Sequence, residues 1–473
     1  MSPRGDQLGI TVMPEFLLTE GAEAVLDNLQ RRAGATAIAT SPYVLTPTPD
    51  GEGGREPPID AGAGGARLLD RPLWARRELW VRAAPAFVPD TALYAGLRYQ
   101  PAEPDSLTME QGPRIAAAIR AAKRRGLAVH LQVQAAMPPG YRVQFGGPAA
   151  EDRPLLPDGS ELPGRVDGNA SLASEAVLDY LRALLRDLAR AYPEVDAIRL
   201  DWPEYPPYAP AAALFDFSLP AQALARRLGF DLETMQRDAL AVLHAIRDGR
   251  AAQAVLAAQP GGTADALLRL MRARPGLVEL ARFKAAVATR FVGAASAALR
   301  EASGGRIALI PQGFPAPLDV VSGFDPAALA PLVPAMGVKL YTMHWPMILR
   351  FWAEGMGRPG DPALLAALAQ ALDLVDGPAD PARLRYPEPE EPHPVGAGAQ
   401  ARKIAAARMA AGGTPVFAFA HSYGPLADVA ARFRIAWRAS GGRVFVNRYG
   451  YLSDAKLDAI GAIRREAPQG GPA

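Results

Sequence analysis

The sequence predicts a single (β/α)8 TIM barrel, an α/β fold carrying one long loop insertion and one helical insertion. Three observations predict it. Eight short apolar or β-branched runs alternate with helical patterns along the 473 residues, the order that builds a parallel sheet. No internal repeat divides the chain. Every run ends in polar or aromatic side chains, and in a closed barrel those ends converge on the face where catalysis sits. An open doubly wound sheet is the alternative. It would need a glycine-rich turn after the first run to hold a nucleotide, and none is present.

The elements follow in order. Residues 8–13 (LGITVM) read as a buried strand, followed by Pro14-Glu15-Phe16. A helix is expected over 19–32, with Thr19 as N-cap and Ala22, Val25, Leu26 and Leu29 on one face. Residues 35–40 form the second strand, ending at Ser41-Pro42-Tyr43. Residues 44–108 are rich in Gly and Pro and hold Trp74, Trp80, Tyr94 and Tyr99. An irregular segment of this length is expected to be a lid or rim.

A helix over 109–125 leads to the third strand, 127–134 (LAVHLQVQ), where His130, Gln132 and Gln134 alternate with Val129, Leu131 and Val133. One face of that strand is therefore polar. A second Pro- and Gly-rich loop spans 138–169. The clearest amphipathic helix is 174–192, with Val177, Leu178, Leu181, Leu184, Leu185 and Leu188 at helical spacing. It feeds the fourth strand, which starts at Val195. Residues 210–303 read as a helical insertion, broken near Phe230-Asp231, Pro260 to Gly262, and Pro275. Strands five to eight are expected at 306–311, 337–341, 414–420 and 443–446. Helices near 362–374, 399–411, 427–440 and 452–465 fill the intervals and the end, with an acidic proline-rich loop at 386–394. The whole of 1–473 is read as one domain.

Composition removes several classes of function. Lys and Arg number 51 against 49 Asp and Glu, with no basic run, which argues against a nucleic-acid surface. With no cysteine there is no disulfide, thiolate zinc site, iron–sulfur cluster or cysteine nucleophile. No leader or membrane span is visible, so no membrane partner is expected and a cytoplasmic location is the default. The Asn169-Ala170-Ser171 sequon is then idle. Oligomeric state stays open. No His-x-His or His-Glu-x-x-His spacing marks a metal site, no strained serine elbow follows a strand, and no phosphate loop exists, so no metal or cofactor is expected.

What remains is carboxylate chemistry, concentrated at 195–208 (VDAIRLDWPEYPPY). Asp201 and Glu204 stand three positions apart where Pro203 should stop ladder pairing. As a bare pattern, Asp201 could be a helix cap and Glu204 a solvated loop acid. The adjoining Trp202, Tyr205 and Tyr208 favour a site, since aromatics in a loop need a reason. The other strand ends supply Glu15, Tyr43, Gln132 with Gln134, Gln312, Tyr341 with His344 and Trp345, His421 with Tyr423, and Asn447 with Arg448 and Tyr449. Rings stack on sugar faces and amides bind hydroxyls. Arg199 shares a strand face with Asp201; it keeps that acid ionised, binds an anionic sugar, or forms an interior ion pair.

The stretch 195–206 resembles the strand-four signature of the chitinase-like glycoside hydrolases (family 18-like), Asp-Gly-x-Asp-x-Asp-x-Glu, commonly with Trp before the Glu and Tyr-Pro after it. Asp196, Asp201, Trp202, Glu204, Tyr205 and Pro206 match. Arg199 stands where the family has its middle Asp, and Pro203 is inserted before the Glu. The resemblance implies a sugar-cleaving barrel. It does not imply chitin, because the family's substrate-assisted mechanism needs the missing Asp.

The expected function is glycoside hydrolysis, with Asp201 as nucleophile or base and Glu204 or Glu15 as general acid. The expected partner is a carbohydrate. Two alternatives stand beside it: a barrel that binds carbohydrate without cleaving it, and a metal-assisted hydrolase or lyase using His130, His344 or His421.

Overall fold

The computed structural model describes residues 5–57, 68–140, 146–165, 168–258 and 262–466. Segments of both expected surface loops (44–108 and 138–169) and of the helical insertion lie outside these residues.

Eleven strands are present among the described residues. They are β1 (Gln7–Thr11), β2 (Ala37–Thr40), β3 (Tyr43–Thr48), β4 (Gly54–Glu56), β5 (Leu79–Pro85), β6 (Ala128–Gln134), β7 (Ala197–Asp201), β8 (Ala308–Gly313), β9 (Met336–Leu340), β10 (Val416–His421) and β11 (Arg443–Asn447). Eight of them close a parallel barrel in the order β1-β11-β10-β9-β8-β7-β6-β2, and β2 returns to β1. This is the fold class the sequence predicts, with each barrel strand within two residues of its expected start. Regular pairing of β7 ends at Asp201, two residues before Pro203.

The barrel interior is filled unevenly. Phe417, Phe419 and Phe445 project inward from β10 and β11 and pack with Ala37, Ala39, Ala197 and Ile310. Gly9 and Gly337 make room for them. A Cβ on Gly9 would stand 2.1 Å from the Phe445 ring, and one on Gly337 1.7 Å from the Phe419 ring. Large side chains on one side therefore require nearly none on the other. The aliphatic faces of the strands pack outward on the helices in the larger core, which contains Leu8, Ile10, Val129, Leu131, Ile198 and Leu200.

Two local expectations need correction. Residues 44–108 are not wholly irregular: β3, β5 and β4 form an antiparallel sheet. The Pro-Gly-rich linker at 49–53 lets the chain double back, with Gly51 and Gly53 at φ 90° and 76°. Leu79 and Val81 point into the core from β5. Thr19 does not cap the first helix. Helical winding already starts at Pro14, and the Thr19 hydroxyl donates to the Glu15 carbonyl at 2.8 Å.

The amphipathic helix is Glu175–Ala191, and Ser174 just before it is its N-cap: the Ser174 hydroxyl accepts from Val177 N at 3.2 Å. It packs against Pro275–Ser303, the last and longest helix of the 210–303 segment. That long helix is therefore the barrel's own crossover into β8, and the shorter helices before it are the insertion. Among the described residues no helix is long and apolar enough to cross a membrane.

Candidate active site

The site is built from the floor of the barrel upward. Arg199 and Asp201 are alternate residues of β7 and share its inward face. Strand register places Arg199 opposite Gln132 on β6 and Asp201 opposite Gln134 on β6 and Gln312 on β8. Arg199 is fully buried. Its guanidinium donates to Thr11 Oγ1 at 2.9 Å, Gln132 Oε1 at 2.9 Å and Gln312 Oε1 at 3.2 Å. It lies 4.4 Å from the Phe419 ring and 4.8 Å from Phe445. Desolvation pulls its pKa down to about 10, against the opposing pull of Tyr341 and Asp201. No carboxylate lies within ion-pair distance of it among the described residues, so the interior ion pair is not formed.

One layer higher, Asp201 is 7% exposed. Gln132 Nε2 donates to its Oδ2 at 3.1 Å, and Lys339 Nζ on β9 stands 3.1 Å from its Oδ1. The Trp202 amide also donates to Oδ1 at 3.0 Å. The chain turns sharply here, because Trp202 holds a left-handed φ of 53°. Past that turn Glu204 lies against the exit of β8 and Lys339 of β9, where it has no exposed surface. Its Oε1 pairs with Lys339 Nζ at 2.9 Å, while its Oε2 accepts from Phe314 N and Ser322 Oγ, both at 2.9 Å. Burial raises the Glu204 carboxyl pKa, and Lys339 with these donors opposes the rise. Lys339 thus bridges the two acids, 5.5 Å from the Trp202 ring and 5.2 Å from Phe314.

Above the exits of β9, β10 and β11, six rings form a closed circuit. From Tyr341 it runs to His344 (5.7 Å between centroids), Tyr386 (6.4 Å), Tyr423 (6.0 Å), Tyr451 (5.8 Å), His421 (5.4 Å) and back to Tyr341 (5.6 Å). Asn447 Nδ2 donates to the Tyr341 hydroxyl at 3.3 Å. Tyr208 joins the circuit to the acids: its hydroxyl lies 3.2 Å from His344 Nδ1, and its ring is 6.1 Å from Trp202.

The other expected site residues are spread out. Arg448 donates to Glu56 Oε1 at 2.5 Å and lies 3.2 Å from Met13 Sδ. Glu15 is buried, and its Oε1 accepts from Leu45 N at 2.9 Å. Tyr43 is buried at the start of β3. Gln134 is half-buried at the end of β6. Three aromatics point elsewhere. Tyr205 turns toward the crossover helix Pro275–Ser303, with its hydroxyl 3.2 Å from Asp216 Oδ2 and Lys284 over its ring. Trp345 is buried against Lys403. The Tyr449 hydroxyl lies between Asn28 Nδ2 at 2.9 Å and Glu20 Oε2 at 2.8 Å.

His130 lies two residues below Gln132, its ring 4.8 Å from Phe445. Burial, with Arg199 and Lys123 adding to it, lowers its pKa to about 3, so it is neutral. Among the described residues no three His, Asp or Glu side chains are grouped as metal ligands.

Sequence reasoning missed Lys339, Tyr386, Tyr451 and Glu56. Lys339 had a signal: it is a charge two residues before Tyr341 in an apolar strand, hence on the same face. The others lie in loops or inserted strands whose path the sequence does not specify.

No family model matches the chain, and no curated protein does. Solved structures do. The chain is similar to the catalytic domain of a β-amylase from Paenibacillus polymyxa at 11% identity and a TM-score of 0.50, covering 98% of this chain and 99% of that one. A β-galactosidase from a psychrophilic Marinomonas gives 12% identity and a TM-score of 0.48. That match covers 97% of this chain but only 59% of the other, so the chain spans about three fifths of the galactosidase's length. A chitinase from Chromobacterium violaceum gives 10% identity and a TM-score of 0.41, covering 98% and 100%. The likeness to the β-amylase domain is one of fold: the chain is a (β/α)8 barrel.

Proposed function

We propose that the chain is a glycoside hydrolase whose working carboxylate is Asp201. The observation that carries this reading is the placement of Asp201. It stands at the exit of β7, held by Gln132 and Lys339, and is linked through Trp202 and Tyr208 to a circuit of aromatic rings. Acid and ring in one bowl are what sugar cleavage requires. Held by donors on both oxygens, Asp201 serves as nucleophile or base rather than as acid. Of the two acid candidates, Glu204 has both oxygens engaged and no exposed surface, which supports a scaffolding role. Glu15, the other candidate for proton donor, is equally without exposed surface, with Oε1 held by Leu45 N. The carbohydrate's apolar faces lie on Tyr341, Tyr386 and the rings beside them, and Asn447 and Gln132 meet hydroxyls.

The test is Asp201→Asn assayed on a panel of aryl glycosides. A loss of about a thousandfold in kcat with an unchanged fold is expected, in line with removal of a reacting group. Full turnover by the variant on a substrate the wild type cleaves removes Asp201 from the mechanism.

A second reading, a barrel that binds carbohydrate without cleaving it, is favoured by one observation: Lys339 occupies the space between the two acids. Oligosaccharide binding by calorimetry with no product after long incubation would select it.

A further inference from the structure

We propose that Arg199 is a positioning residue. It fixes the carboxamides of Gln132 and Gln312 so that their oxygens face the barrel floor and the Gln132 NH2 is presented to Asp201. This rests on the reading of Asp201 as the working carboxylate.

The argument starts from donor and acceptor chemistry. A guanidinium has five N–H donors and no acceptor. Each amide atom it touches must therefore be oxygen, which settles the side-chain flip that an amide otherwise leaves open. Arg199 Nη2 touches both amides, at 2.9 Å and 3.2 Å. The Gln132 nitrogen is then the atom that faces Asp201 Oδ2, 3.1 Å away. The reversed amide would set oxygen against oxygen at Asp201 and NH2 against guanidinium below. Arg199 thus decides that a donor, not an acceptor, meets the carboxylate.

The guanidinium itself cannot turn away. Thr11 takes its other terminal nitrogen at 2.9 Å, and Phe419 and Phe445 both lie within 4.8 Å of it. Its hydrogen-bond acceptors are all neutral. A buried cation without a touching carboxylate is a costly way to fill space, and an apolar side chain would do so at less cost. Gln312 shows the same orientation from the other side of β7: its Oε1 faces Arg199, and its buried Nε2 has no hydrogen-bond partner among the described residues. Two amides from two different strands, both turned the same way by one side chain, are what a positioning device predicts and a packing residue does not.

The experiment uses the full chain with 15N-labelled glutamine. Loss of signals in Gln132→Leu assigns the Gln132 NH2. In the wild type it is expected as two separate resonances protected from exchange with water. In Arg199→Met, checked for a cooperative melt, protection should fall by about tenfold or more, as for a side chain released from its hydrogen bonds. If Arg199→Met does not fold, Arg199→Lys, which keeps the charge but loses the planar fork that meets the amides, should show a partial loss. Unchanged protection in the folded variant overturns the proposal.

This readout needs no turnover, so a chain that cleaves no glycoside ends the hydrolase reading and leaves the positioning test intact. Where turnover is present, Arg199→Met and Gln132→Leu should each lower kcat about tenfold or more while KM stays within about twofold. The double variant should match Gln132→Leu within about twofold, because the two act in series. Multiplying losses would show that Arg199 acts on its own, and would also overturn the proposal.

Discussion

Lys339 and Glu204 form an ion pair of 2.9 Å in which neither side chain meets solvent. The same ammonium reaches Asp201 at 3.1 Å, so one β9 residue holds both the acid that ends β7 and the one just past it.

Removing one member of such a group leaves buried charge without a partner. Lys339→Met should lower stability by about 3–5 kcal/mol in urea denaturation. Adding Glu204→Gln to it should recover much of that loss, since one stranded charge is then gone. A single variant as stable as the wild type would show that the pair does not hold the turn at Trp202.

Acid should destabilise the fold through His130. Its pKa is about 3 in the folded chain against 6.5 for a free imidazole. Between those values the unfolded chain binds a proton that the folded one refuses. Its contribution is thus complete above pH 6.5 and is lost as pH falls toward 3, with a limiting slope of about 1.4 kcal/mol per pH unit. His130→Leu should flatten the stability curve in that window. Parallel curves for the two proteins would contradict the assignment.

The barrel interior predicts a compensating pair. Gly337→Ala places a methyl 1.7 Å from the Phe419 ring, and should cost about 1–3 kcal/mol through overpacking. In a Phe419→Leu background the same change should cost much less. Thermal melts of the four proteins make the comparison, and equal costs in both backgrounds would mean the clash is relieved elsewhere.

The ring circuit predicts a binding effect separable from chemistry. Tyr386→Ala should weaken binding of a cognate oligosaccharide by about three- to tenfold, the worth of one ring contact. Calorimetry on the Asp201→Asn protein measures it without turnover. Unaltered affinity would place the sugar elsewhere.

The barrel was legible because hydrophobic period and strand spacing are local properties, and eight strands recur with helices between them. The polar face of β6 was legible too, since His130, Gln132 and Gln134 alternate with apolar neighbours. What a side chain does at the exit of a strand was harder to read. Asp201 and Glu204 look alike in sequence, yet past the left-handed residue at Trp202 Glu204 is buried against Lys339. Tyr205 and Trp345 looked like members of the bowl, but Tyr205 packs under Lys284, and Trp345, on the helix His344–Gly355, packs against Lys403. Tyr386 and Tyr451 sit in loops whose course depends on tertiary packing, so no periodicity announced them. The small antiparallel sheet was hidden by its proline content, which reads as irregular when strands are short.

That small sheet has a further consequence. Glu56 on β4 has no exposed surface and is joined at 2.5 Å to Arg448, just past the last barrel strand. Swinging the sheet aside would leave the fully buried Glu56 carboxylate without its cation, a cost of about 3–5 kcal/mol. The sheet is thereby tied to the exit of the last barrel strand instead of hanging free from its two linkers.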